Sequence, residues 1–469
     1  MTKIKFGTDG WRAIIAKDFT VENVARVSEA TAIWLKKNFK EPSVVVGHDC
    51  RFAGELFAET VAKVLGHHGI HVFLAKNFVS TPMISLGTLR KKASLGIIIT
   101  ASHNPPSYNG FKLKGHFGGP LLPDKIQEIE DIIPERCPID TEKMAISDLM
   151  KSKLLEYVDL ETMYCDHVKA NFDLDAINKS GLNLAYDAMY GAGQNVIKRL
   201  FPEVETLHCE YNPSFMGQAP EPIHKNLLEF SKYIKDAKGD IACGLATDGD
   251  ADRIGLYDSD GNFVDSHHII LLLIKYMVEQ KKQKGKVVTA FSVTPRVKRM
   301  CEHFKLEQQT VKIGFKYIAG IMTTEDVLLG GEESGGIAVK GHIPERDGIW
   351  MGLIIWEYMA KSGKTLKQLI KEVYEITGSF AFERYDLHLK EELKNSIVAD
   401  CKAGKMKSFG KYKVERMEDT DGWKYFFNND EWLMIRASGT EPVLRTYAES
   451  SSKTNAFAIL DEAKKVLLS

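Results

Sequence analysis

Asp248-Gly249-Asp250-Ala251-Asp252-Arg253 sets three carboxylates at alternate positions of a short glycine-containing loop. Oxygens at that spacing can close on a hard divalent cation, and Mg2+ is the usual one beside phosphate. A calcium EF-hand also opens Asp-x-Asp-x-Asp but needs Gly sixth and Glu twelfth. Here those positions hold Arg253 and Ser259, which disfavours calcium. A solvated acidic turn has the same composition, so the loop gains meaning only from its company. Ile97-Ile98-Ile99-Thr100-Ala101-Ser102-His103-Asn104-Pro105-Pro106 supplies some: an apolar run stops at a serine set among Thr, His and Asn. The two prolines can continue neither a ladder nor a helix interior. In an α/β domain this is a buried strand carrying a hydroxyl to the carboxyl edge of its sheet, where ligands bind. Arg436-Ala437-Ser438-Gly439-Thr440-Glu441-Pro442 collects a guanidinium, two hydroxyls and a glycine whose backbone can approach an anion, a combination able to cradle phosphate. A serine, three carboxylates and cationic loops together fit phosphoryl transfer, where positioning and charge neutralisation do most of the catalysis.

The elements that must position these loops alternate between helix and strand. Thr20 can cap a helix whose apolar face is Val24, Val27, Ala30, Ala32 and Leu35. Ser43 to Gly47 is a short buried strand followed by His48-Asp49-Cys50-Arg51. Phe57, Val61, Val64 and Leu65 fall on one helical face that Gly69 ends. Strands follow at Val72 to Leu74 and Leu95 to Ile99, which predicts a mostly parallel sheet covered on both faces. A polar, helical stretch from about Pro123 to Ala170 bridges to strands at Leu182 to Asp187, Glu205 to Cys209 and Ile241 to Ala246. A third unit has strands at Lys286 to Phe291 and Val327 to Leu329. In each unit an apolar strand ends in a polar loop, a repetition of plan rather than of residues. After Ser379 the pattern becomes antiparallel, with strands at Phe380 to Leu389, Tyr412 to Glu418, Lys424 to Asn428 and Trp432 to Arg436. Asp421-Gly422 and Asn429-Asp430 read as turns, and a helix from about Lys453 to Leu468 closes the chain.

At 469 residues the chain exceeds one core and points to three or four domains. With 62 basic against 63 acidic residues it has no field for nucleic acid or an anionic membrane. Any phosphate must then be held by local clusters. Seven cysteines without a Cys-x-x-Cys pair argue against a disulfide framework and for a reducing compartment. The start, Met1 to Gly7, lacks the apolar segment of a signal peptide, and Ile269 to Ile274 is too short to span a bilayer. The expectation is a soluble, cytoplasmic protein.

From Thr100 to Lys112 the chain resembles the active-site serine loop of the α-D-phosphohexomutases, the family of phosphoglucomutases and phosphomannomutases. The resemblance extends in order through the Asp248 loop, Gly331-Glu332-Glu333-Ser334-Gly335 and the Arg436 loop, so it covers essentially the whole chain. It implies an α/β protein of three similar domains with mostly parallel, mixed sheets plus a C-terminal α+β domain, around one central active-site cleft. The domains would be residues 1–150 with the phosphoserine loop, 151–255 with the metal loop, 256–375 with the sugar loop and 376–469 with the phosphate loop.

Residue roles follow from the same resemblance. Ser102 would carry the transferable phosphate and complete a Mg2+ set with Asp248, Asp250 and Asp252. His103 would orient the serine loop or its phosphate. Arg12 matches an arginine near the reactive phosphoryl, and Lys112 a lysine proposed to help proton transfer. Arg253 and Lys312 resemble substrate contacts. Glu332 can accept from two vicinal sugar hydroxyls, with Ser334 at the same edge. Arg436, Ser438, Gly439 and Thr440 would hold the second phosphate, with Arg445 beside them. Gly336 departs from the pattern, standing where several relatives carry histidine; His342 is the histidine expected to cover that function.

The Glu-Glu-Ser order and His342-Ile343-Pro344-Glu345-Arg346-Asp347-Gly348 are most like a phosphoglucomutase. The implied reaction interconverts glucose 1-phosphate and glucose 6-phosphate, with glucose 1,6-bisphosphate as intermediate and activator. A phosphomannomutase, a dual-specificity enzyme and, with less support, a phosphoglucosamine mutase are the alternatives within the family. A metal-dependent sugar phosphatase and a non-catalytic sugar-phosphate binder are those outside it. Small hexose phosphates are the expected partners, without nucleic acid or membrane, for a monomer or homodimer.

Overall fold

Val44, Val45 and Val46 are fully inaccessible, as a strand covered on both faces requires. Their strand, Ser43–His48, lies between His71–Ala75 and Leu95–Ile99 and is parallel to both. Tyr108–Gly115 returns antiparallel to Leu95–Ile99 and carries Trp11–Ile14 along its other side. Helices Val21–Asn38 and Gly54–His67 supply Val24, Val27, Phe57 and Val61 to one core with Val44, Val46, Ile97 and Ile99. The Thr20 hydroxyl caps the first helix, accepting from the Asn23 amide at 3.2 Å. This computed structural model describes residues 3–427, 430–437 and 443–468.

Two parts of this sheet differ from the sequence expectation. The stretch read as helical bridge contains a strand, Leu155–Val158, parallel to His71–Ala75. Only Leu155 and Val158 are buried, and four residues are too few to show a strand period. Trp11–Ile14 and Tyr108–Gly115 were likewise hidden by composition. Lys112 and Lys114 are fully buried in the latter because carboxylates pair with them.

The repeated plan is a hairpin. Leu95–Ile99 runs through the serine loop into Tyr108–Gly115. Ile241–Thr247 runs through the Asp248 loop into the antiparallel Ile254–Asp258. Val327–Gly331 runs through the Glu332 turn into the antiparallel Ile337–Val339. Each places its polar loop at the end of a buried strand. The apolar run Ile269–Ile274 belongs to the helix Ser266–Glu279 and is buried throughout.

The chain divides into two compact units, 1–288 with 314–370, and 289–313 with 371–469. The second is built on an antiparallel sheet in the order Ala381–His388, Val443–Ser450, Trp432–Ala437, Trp423–Phe426, Arg416–Glu418. The helix Lys453–Leu468 places Ile459 and Leu460 in one core with Leu433, Ile435, Leu444 and Ala448. The expected strand from Tyr412 to Glu418 is two short ones, Tyr412–Lys413 pairing with Ser408–Phe409 and Arg416–Glu418 pairing with Trp423–Phe426. Val443–Ser450 is a strand the sequence reading lacked. All seven cysteines are free thiols, and no helix among the described residues is long and apolar enough to cross a membrane.

Candidate active site

Ser102, in the turn that follows the strand Leu95–Ile99, is in the left-handed region, at φ 54°, and is 1% exposed. A non-glycine residue holds that conformation only where its surroundings over-determine it. They do so here. Arg51, from the loop after Ser43–His48, donates to the carbonyls of Ser102 and Asn104 at 2.7 Å and to those of Pro105 and Tyr108 at 2.9 and 3.0 Å. Asp49 lies 3.4 Å from the Arg51 guanidinium and accepts from the Thr100 hydroxyl at 2.5 Å. Thr100 in turn accepts from the Ser102 amide at 2.9 Å. Sequence reading reached the string His48 to Arg51 without giving it a role. Its signal was a charged pair immediately after a buried strand.

The Ser102 hydroxyl donates to Asp248 at 2.8 Å, across 146 positions of sequence. The remaining Asp248 oxygen accepts from the Asp252 and Arg253 amides at 2.9 and 3.1 Å. Asp248, Asp250 and Asp252 are fully buried, with one oxygen of each within 4.8 Å of the others. Asp250 and Asp252 each keep one buried oxygen, Oδ1, without a hydrogen-bond partner. Three hard carboxylate donors gathered in this way, with two buried oxygens unsatisfied among them, fit a divalent cation of the Mg2+ type.

The opposite oxygens of the same residues meet fixed cations. Lys112 lies 2.8 Å from Asp250, 3.2 Å from Asp252 and 2.8 Å from Asp9. Burial alone would drive its ammonium towards neutrality, but these three carboxylates more than offset that and hold its pKa above the ordinary lysine value. Burial likewise favours a neutral Asp250, yet Lys112 and the Thr81 hydroxyl keep its carboxyl below the usual range. Asp248 goes the other way: burial, then the charges of Asp250 and Asp252, push its pKa well up. His103 has a ring nitrogen 3.4 Å from the Ser102 hydroxyl, and burial, then the charges of Arg253, Arg12, Lys112 and Arg51, pull its pKa well below the ordinary imidazole value. Arg12 lies opposite Gly110 in the strand pairing and donates to Asn104 of the serine loop at 2.6 Å.

The sugar-loop candidates approach the metal loop through a bridge between Arg253 and Gly336. Glu332 is buried and accepts from the Gly314 amide at 2.9 Å. Burial raises its pKa against the pull of Arg346 and Arg253. Ser334 is half-buried in the same turn. His342 does not join them. Its ring is enclosed, stacked on Trp350 at 3.7 Å, with one nitrogen 3.2 Å from His167 and the other 2.8 Å from Asp347. No ring nitrogen is left for a sugar, which corrects the expectation that it replaces a histidine at position 336. In the second unit Arg436 lies 3.4 Å from Asp421, paired across strands with Arg445, which is 3.6 Å from Asp386. Lys312 is exposed. Ser438, Gly439 and Thr440 lie outside the described residues.

A buried serine hydroxyl meeting a carboxylate triad across repeated α/β hairpins can give and take a phosphoryl group. Family models agree along the chain. Those for phosphoglucomutase/phosphomannomutase alpha/beta/alpha domains I, II and III match residues 3–137, 162–261 and 265–376, and that for the C-terminal domain matches 393–466. The chain belongs to the phosphoglucomutase/phosphomannomutase family. It is 29% identical to a phosphoglucomutase/phosphomannomutase of Thermococcus kodakarensis, over 98% of each chain. It is 31% identical to a phosphoglucosamine mutase of Methanococcus vannielii, over 91% of this chain and 92% of that one. A crystal structure of a putative phosphomannomutase from Thermus thermophilus superposes with a TM-score of 0.86 at 32% identity, covering all of both chains.

Proposed function

We propose that the protein interconverts glucose 1-phosphate and glucose 6-phosphate through a phosphorylated Ser102 and glucose 1,6-bisphosphate, as a cytoplasmic enzyme. The observation that carries this reading is the 2.8 Å contact from Ser102 to Asp248, inside a triad with two unsatisfied oxygens. Phospho-Ser102 gives its phosphoryl group to the free hydroxyl of the sugar. The bisphosphate turns end for end, and its other phosphoryl group returns to the Ser102 oxygen. For that return the Ser102 hydroxyl is already held at 2.8 Å by Asp248. Mg2+ held by Asp248, Asp250 and Asp252 would neutralise charge on the transferring group. Lys112 and Arg12 add fixed positive charge beside it, Glu332 and Ser334 take sugar hydroxyls, and Arg253 and Lys312 add contacts. Arg436, Ser438, Gly439 and Thr440, with Arg445, take the phosphate that is not reacting.

Glucose is favoured by the Glu332-Glu333-Ser334 order and the run from His342 to Gly348. A second reading, glucosamine phosphate as substrate, is favoured by the names of relatives such as the Methanococcus vannielii enzyme. Initial rates on the 1-phosphates of glucose, mannose and glucosamine, with released inorganic phosphate measured in parallel, separate the readings. Glucose 1-phosphate is expected to give the highest kcat/KM without phosphate release. A preference for glucosamine 1-phosphate would install the second reading, and stoichiometric phosphate release would make the protein a phosphatase.

A further inference from the structure

Arg346, in the run from His342 to Gly348, reaches into the carboxylate triad. Its guanidinium lies 2.7 Å from Asp252, contacts Asp9, and sits over the Phe315 ring at 5.5 Å from the centroid. It is 3% exposed. The Asp252 oxygen it touches, Oδ2, is the one that Lys112 also approaches, while Oδ1 is buried and unpartnered. Both cations thus hold Oδ2, and Oδ1 is left without a hydrogen-bond partner.

Gly336 makes room for this arrangement. A Cβ at that position would lie 2.4 Å from Cδ and 3.0 Å from Cγ of Arg346. Contacts that short require the arginine stem to move. The glycine is needed for space, since its φ is not in the left-handed region. The same Cβ would be 3.6 Å from a Glu332 oxygen, so the stem of Arg346 runs between the Glu332 turn and the Asp248 loop.

We propose that Arg346 is a positioning residue for the metal site: it turns Asp252 so that Oδ1 is presented to the cation, and Gly336 is the position that admits it. This rests on the triad's being a metal site, as argued above. Two effects of Arg346 oppose each other and can be told apart. As a positive charge beside a ligand, it repels a divalent cation, and its removal would tighten binding. As a splint, it lowers the cost of orienting the ligand, and its removal would weaken binding. Without Arg346, Asp252 keeps Lys112 as a counter-charge at Oδ2 but loses one of the two contacts that fix the rotation of its carboxylate.

The test is titration of the purified, full-length protein with Mn2+, read by the electron paramagnetic resonance of the free ion. Wild type, Asp250→Asn, Arg346→Met, Arg346→Lys, Gly336→Ala and the Gly336→Ala/Arg346→Met pair are compared, with circular dichroism as the fold control. Arg346→Met is expected to bind Mn2+ roughly 10- to 100-fold more weakly, the range for loss of a residue that orients a metal ligand. Arg346→Lys should fall between it and wild type, and it carries the test if the methionine variant does not fold. Gly336→Ala should weaken binding although it alters no charge, and the pair should be no worse than Arg346→Met alone. Binding unchanged or tighter in the folded Arg346 variants would overturn the proposal. Additive losses in the pair would overturn the part assigned to Gly336. If wild type and Asp250→Asn bind Mn2+ equally, the metal reading itself fails, whatever the Arg346 variants do.

Discussion

Arg51 shows at the scale of one residue how this site is held. Its guanidinium satisfies four carbonyls of the serine loop and faces Asp49, with neither side chain exposed. Arg51→Met would leave Asp49 buried without its counter-charge, at a cost of about 3–5 kcal/mol of folding stability. Urea unfolding should show this loss, and Arg51→Met/Asp49→Asn should recover part of it. Asp49 also makes a pH prediction. Burial raises its carboxyl from an ordinary 3.8 to about 6, against the pull of Arg51. Between those values the folded protein holds a proton that the unfolded chain has released. This contribution to stability is therefore full below about pH 4 and is lost as pH rises through about 6. Melting temperature measured across that window should fall less steeply in Asp49→Asn than in wild type, and parallel curves would refute the assignment.

At the scale of elements, the serine hairpin and the Asp248 hairpin meet backbone to backbone. A Cβ on Gly249 would lie 2.5 Å from the carbonyl oxygen of Ser102, the oxygen that also accepts from Arg51. Neither partner is the far end of a flexible side chain, so Gly249→Ala must push the two loops apart. The Ser102-to-Asp248 contact should lengthen, and turnover should fall at least about 100-fold, as misplacement by an ångström does in positioned chemistry. Circular dichroism should stay that of wild type. An alanine variant with normal kcat would show that the loops need not approach as closely as they do here.

For the whole molecule, the proposed cycle has an intermediate that must turn over before the second transfer. If the bisphosphate escapes, the enzyme is left with the bare Ser102 hydroxyl and cannot restart on monophosphate alone. Dephosphorylated wild type should be inactive on glucose 1-phosphate and recover with catalytic glucose 1,6-bisphosphate, while Ser102→Ala stays inactive in both conditions. Activity without bisphosphate, from protein shown by mass spectrometry to lack phosphoserine, would refute the phosphoenzyme. In the proposed cycle Arg436 takes the phosphate that is not reacting. Arg436→Lys keeps the charge but loses the planar fork, so KM for glucose 1-phosphate should rise by an amount equivalent to roughly 1–3 kcal/mol. An unchanged KM would remove Arg436 from the phosphate site.

Residue type and short spacing were enough to point to the Asp248 loop, the Ser102 loop and phosphoryl chemistry, because three carboxylates in five positions or a serine after a buried strand constrain chemistry locally. The parallel core strands were legible for the same reason: Val44 to Val46 and Ile97 to Ile99 are apolar on both faces. Strands that carry charge inward were not. Lys112 and Lys114 are buried only because Asp9, Asp250, Asp252 and Glu345 arrive from other elements to pair with them. Val443–Ser450 contains Arg445 and Thr446 yet sits second in its sheet, between two strands. His342 has the chemistry of a site residue and is enclosed by Trp350, His167 and Asp347 instead. Arg51 and Arg346 look like surface cations in sequence, and burial among carbonyls and carboxylates makes them structural parts of the site. Residue types and their spacing are enough to show which side chains could do the chemistry. Which of them meet is set by the folded chain, because burial and charge pairing depend on distances that sequence separation does not encode.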